Sequence, residues 1–203
     1  MMKRLVVGLV AATLVVLVVA PLAIARFQGF SVRSEPTAVE RTIARLTRRW
    51  ATPAAARAAV NPIRFSDAIW ADARAHFADH CATCHANDGS GSTEIGRNLY
   101  PRAPDMRRAD TQGLTDGELY WIIENGVRLT GMPAWGTGGG DDRDTWKLVH
   151  FIRHLEHLTP AHLKDMEALN PKTASERDEE REDDQFLSGE PPSGPPAHHH
   201  HKE

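Results

Sequence analysis

Two thiols and an imidazole stand together in Cys81-Ala82-Thr83-Cys84-His85. This Cys-x-x-Cys-His run is the sequence form of a c-type haem attachment site. The spacing has a chemical reason. Two thiols so placed add to the two vinyl groups on one side of the porphyrin, and the adjoining His turns a ring nitrogen to the iron. Two other chemistries use similar residues. A thioredoxin-like redox pair needs a strand before it in a βαβ unit, but Ser66 to His80 reads as a helix. A structural zinc site needs four ligands, yet the chain holds only 2 Cys. The expectation is one covalent haem c on Cys81 and Cys84, with His85 as axial ligand.

The other axial position calls for a second donor or stays open for chemistry. Met132 is the candidate, in Thr130-Gly131-Met132-Pro133-Ala134-Trp135-Gly136. Gly131 permits close approach of the backbone to the porphyrin, and Pro133 keeps Met132 out of a helix. Met106, in Pro104-Asp105-Met106, competes for the role. The metal pair read from the sequence is therefore His85 with Met132.

The Cys-x-x-Cys-His site, a later Gly-Met-Pro loop and a final helix rich in Trp and aliphatics resemble class I c-type cytochromes. The resemblance covers about residues 64–159. With the apolar N-terminal run, the whole arrangement is similar to bacterial membrane-anchored monohaem cytochromes. It implies a mainly α fold, in which a helix before the haem site crosses the last helix and a third lies between. The sequence supplies all three. Asp67 to His80 carries Ile69, Ala73 and Phe77. Thr115 and Glu118 form a capping box for a second helix with Leu119, Ile122 and Ile123, closed by Gly126. Asp144 to Leu158 lines up Leu148, Ile152 and Leu155, with Phe151 beside them.

The resemblance also implies a Pro whose carbonyl receives the proximal His ring N–H, and Pro101 and Pro104 both qualify. Ala86 departs from the pattern, since many relatives have Gly after the haem His. Trp135 is read either as a haem-edge cover or as plain packing. His150, Arg153, His154 and His157 read as a solvated face of the last helix. His76 and His80 read as groups near the site rather than ligands.

Positioning elements extend to both ends. Leu5 to Ala25 carries no charge and is long enough to span a bilayer. Residues 1–27 are thus read as a membrane anchor, with a cleaved signal peptide as the competing reading, since Ala23-Ile24-Ala25 has a cleavage-site form. Residues 28–63 form a helical connecting segment. There Val39, Ile43, Leu46 and Trp50 make an apolar stripe among Arg41, Arg45, Arg48 and Arg49. It reads as a solvated helix packed on its neighbour, in competition with a basic helix near lipid headgroups. Residues 64–160 are the haem domain. Residues 161–203 read as polar and largely disordered, ending in His198, His199, His200 and His201, which are either a divalent-metal tail or a solvated one.

The net charge of −3, from 24 basic and 27 acidic residues, excludes a strongly basic nucleic-acid binder. The function expected is single-electron transfer between redox protein partners at a membrane. The protein then sits single-pass in an inner membrane with its haem domain facing the periplasm, because thioether attachment occurs outside the cytoplasm. Three alternatives stand beside it: an electron-transfer subunit of a dehydrogenase or oxidase, a metal-handling protein using the tail, and a haem peroxidase or ligand sensor.

Overall fold

The computed structural model describes residues 2–29, 31–137 and 142–189. Helix α1, Met2–Gln28, is the apolar run of the sequence. Its Met2–Ala23 stretch has a mean hydropathy of 2.8 and is long and apolar enough to cross a membrane. Helix α2 spans Ala38–Ala51 and is opened by a Thr37/Glu40 capping box. The short α3, Ala54–Ala58, follows.

Helix α4, Asp67–His76, starts on the Ser66 hydroxyl, which accepts the Ile69 N–H. It runs into one π-type turn, Phe77–Cys81, and then α5, Ala82–His85. Two short helices follow, α6 at Glu94–Arg97 and α7 at Ala109–Gln112. Helix α8, Asp116–Asn125, has the expected Thr115/Glu118 box and ends at Gly126 with φ of 65°. Helix α9, Arg143–Arg153, is capped by Asp142, and a 3-10 turn carries the chain to His157. Helices α10, Pro160–Glu167, and α11, Ala174–Ser188, complete the described residues, among which there is no strand. The mainly α class and the three-helix frame are as the sequence implied.

Helix α4 packs most extensively on α9, and α8 packs on both α3 and α9. The core between them holds Ala73, Phe77 and Ala78 from the first arm, Leu119 and Ile123 from α8, and Leu148, Val149, Phe151 and Ile152 from α9. Phe77 and Phe151 meet with ring centroids 4.5 Å apart. Burying such side chains yields about 2 kcal/mol each, which is what fixes the crossing.

Three boundaries differ from the sequence reading. The domain begins before residue 64: Thr52 and Ile63 are buried, and the Asn61 amide donates to the Trp146 carbonyl at 2.9 Å. The Thr115 hydroxyl also donates to the Arg57 carbonyl at 2.8 Å, so α3 caps α8 from outside. At the other end, residues 161–203 are not wholly irregular. A Thr159/His162 box starts α10, and its Met166 is fully buried in the core. A Thr173/Glu176 box starts α11, which buries nothing.

The third difference concerns α2. It is neither fully solvated nor packed through its stripe. It meets the domain through polar side chains: Arg45 with Asp110 at 2.8 Å, and Tyr100 Oη donating to Glu40 at 3.1 Å. Just before it, Glu35 pairs with Arg102 at 2.7 Å. Arg48 also points inward, where burial lowers its pKa against the opposing pull of Glu118. None of the residues of α2 is buried.

The candidate functional site

The helical path Phe77–His85 sets the site. The π-type turn adds a residue to the helix just before Cys81, a device frequent at functional sites. Cys81 and Cys84 are free thiols, both half-buried. Burial, with a smaller push from Cys84, raises the Cys81 thiol pKa to about 12. A redox-active Cys-x-x-Cys pair works through a lowered thiol pKa, so this environment argues against that use. Burial alone takes His85 down to about 4, which keeps the ring neutral and ready to ligate a metal. His85 Nδ1 is buried and has no hydrogen-bond partner in the structure. A buried ring nitrogen left so costs about 1–3 kcal/mol.

The chain after His85 folds back over it. Gly91 N–H donates to the His85 carbonyl at 2.8 Å, and the Thr93 hydroxyl donates to the Cys84 carbonyl at 3.2 Å. Ala103 N–H reaches the Gly96 carbonyl, and Met106 N–H the Gly89 carbonyl, at 2.9 and 2.8 Å. These bonds hold residues 103–106 against the loop that follows His85. Gly91, with φ of 70°, lies so close to this segment that an added Cβ would sit 2.4 Å from the Ala103 carbonyl oxygen. Pro104 is inside this clamp, whereas Pro101 is exposed outside it. Met106 is buried in the core, and its carbonyl accepts from Gln112 at 2.7 Å.

Met132 lies in a loop bound to the end of α8. Val127 N–H donates to the Met132 carbonyl at 3.1 Å, and Trp135 N–H to the Ile123 carbonyl at 3.0 Å. Met132 N–H donates to the Thr130 hydroxyl at 3.1 Å. Leu99 packs on Gly131, where an added Cβ would meet its methyls at 2.6 Å. Trp135 is partly exposed, and its ring lies 5.7 Å from that of His80, next to Cys81. The structure thus brings the Met132 loop, the Leu99 segment and the Cys81–His85 helix to one side of the core. Met132 is half-buried there.

The other sequence candidates separate from the site. His150 Nε2 shares a hydrogen bond with the Ile63 carbonyl at 2.7 Å, and His154 Nδ1 with the His150 carbonyl at 2.7 Å. Phe65 stacks on His154 with centroids 4.3 Å apart. Arg153 is clamped to Asp116 at 2.9 Å. These groups form a half-buried seam, not the solvated face expected. No cluster of three or more His, Cys, Asp or Glu suited to a metal ion occurs among the described residues. His198, His199, His200 and His201 lie outside the described residues.

Sequence reasoning missed the close approaches at Gly91 and Gly96, where an added Cβ would lie 2.2 Å from the Cys84 carbonyl oxygen. The Gly89-Ser90-Gly91 run was the available signal. It also missed Leu99 as the partner of Gly131.

The residues present fit a covalent haem: two reduced thiols on one helical path, an adjoining neutral imidazole, and a thioether loop on the same side of the core. Residues 68–152 match the family described as cytochrome c oxidase, cbb3-type, subunit III. No curated protein matches the chain.

Proposed function

From the premise that residues 68–152 form a class I c-type cytochrome domain, we propose that the chain is a monohaem electron carrier anchored in a membrane. Such a domain binds haem and transfers electrons. The observation that carries the finer reading is the buried Cys81–His85 path facing the clamped Met132 loop. Cys81 and Cys84 hold the haem by thioether bonds, and His85 and Met132 fill the two axial positions. The bound group supplies an iron that alternates between ferric and ferrous. The protein's part is to keep both ligands in place, exclude water and leave one edge open to redox partners.

The orphaned His85 Nδ1–H needs an acceptor, and the clamp on residues 103–106 favours the Pro104 carbonyl over that of Pro101. Such a bond fixes ring orientation and strengthens the ligand. Helix α1 acts as the anchor and places the haem domain on the periplasmic side. Partners are redox proteins reached at the same membrane. A second reading is supported by the family description: the same domain serves as the electron-transfer subunit of an oxidase. Proteins that co-purify from solubilised membranes distinguish the two.

The test of ligation is spectroscopic. The oxidised protein is expected to show the weak near-infrared charge-transfer band of sulfur bound to ferric haem. Met132→Ala is expected to abolish it, lower the potential and open the iron to cyanide. Persistence of the band in Met132→Ala, with its loss in Met106→Ala, would reverse the assignment.

A further inference from the structure

The stripe of α2 is inverted relative to an ordinary surface helix. Val39, Ile43, Leu46 and Trp50 are 67%, 58%, 63% and 85% exposed. Their spacing keeps them within an arc of about 60° on the helix. The opposite side carries Arg41, Arg45 and Arg48, and there Arg45 pairs with Asp110 while Arg48 turns inward toward Glu118. The domain has thus taken the polar side of α2 and left the apolar side outward. A contiguous apolar face of this kind marks a contact surface.

Several observations select its occupant. Residues 190–203 carry no large apolar side chain, so they cannot cover the stripe. Only Gly29 to Thr37 separates α2 from α1, whose composition suits the bilayer interior. Basic groups flank the stripe, Arg33 ahead of it and Arg49 along one edge, and Trp50 ends it. Apolar face, basic flanks and a terminal Trp are the chemistry of a helix lying in a lipid interface.

We propose that α2 lies in the plane of an anionic membrane surface, with Val39, Ile43, Leu46 and Trp50 in the acyl boundary. Its polar side then holds the haem domain in one orientation, with Tyr100 and Arg102 turned to the membrane. Tyr100 follows Leu99, which packs on the Met132 loop. The ligand loop is therefore presented near the lipid surface, and its electron partner is a membrane protein rather than a freely diffusing one. The proposal rests on α1 acting as the anchor.

The experiment places single nitroxide labels on the full holoprotein in nanodiscs containing phosphatidylglycerol. Labels are introduced by Val39→Cys, Ile43→Cys and Leu46→Cys on the stripe, by Ala44→Cys off it, and by Val15→Cys in α1. The parent chain, carried through the same labelling, gives the background from Cys81 and Cys84. Collision rates with oxygen and with a soluble nickel chelate are then read by power saturation. The expected result is an oxygen-to-nickel ratio several-fold higher at the three stripe positions than at Ala44. It should fall when phosphatidylcholine replaces the anionic lipid. Free nickel access along the stripe, with Val15 protected, overturns the seating of α2 alone. Nickel access at Val15 as well overturns the anchor with it. Protection of the stripe from both reagents, with dipolar broadening between labels, overturns the lipid in favour of a second copy of the chain.

Discussion

Ala86 holds φ at 59° and ψ at 156° directly after His85, a region that costs a non-glycine residue about 1–3 kcal/mol. The chain must turn sharply here so that Gly91 can reach back to the His85 carbonyl. Ala86→Gly is expected to stabilise the domain by about 1 kcal/mol, the relief of strain being partly offset by the greater freedom of the unfolded chain. Urea denaturation checks this, and an unchanged haem spectrum shows that only the turn was affected. The departure from Gly at this position was legible in the sequence, and its backbone cost appears only in the folded dihedral. The two methionines separate in the same way. Met106→Ala is expected to cost about 2–5 kcal/mol, as a buried truncation does, with the sulfur-to-iron band intact. A lost band with unchanged stability would contradict that division.

At the scale of elements, α8 governs the Met132 loop from both of its ends. Gly126 closes the helix at a backbone angle open to Gly, and a Cβ there would lie 2.6 Å from the Pro133 carbonyl carbon. Gly126→Ala is expected to cost about 2 kcal/mol or more and to weaken the charge-transfer band, because the collision falls on the ligand loop. Thr115→Ala, at the other end, removes a cap and is expected to cost about 1 kcal/mol with the band unchanged. Thermal melts and near-infrared spectra of the pair read the difference. The capping box and the closing Gly were legible because they are local. The inward turn of Arg153 was not, because its partners Asp116, Gln112 and Leu114 come together only when α8 crosses α9. His150 and His154 misled for the same reason: their spacing suits a metal, but the Ile63 carbonyl and Phe65 arrive from a distant segment. Helix α2 showed its stripe in the sequence, whereas which side faced the domain depended on Asp110 and Glu118.

For the whole molecule, α10 and α11 contribute unequally. Ending the chain after Pro171 removes only α11, none of whose residues is buried, and is expected to leave the midpoint of thermal unfolding nearly unchanged. Ending it after Leu158 also removes Met166 from the core and is expected to cost about 2–5 kcal/mol. Equal midpoints for the two truncations would show that Met166 adds nothing. The short span between α1 and α2 has a further consequence for rates. Nine residues reach at most about 30 Å when fully extended. Tied to an anchor at that distance, the domain never dilutes into the surrounding volume. It meets partners in the same bilayer at an effective concentration on the order of millimolar. Each encounter then needs only weak affinity, so the complex dissociates soon after the electron has passed. Turnover is set by how fast two proteins find one another sideways in a plane.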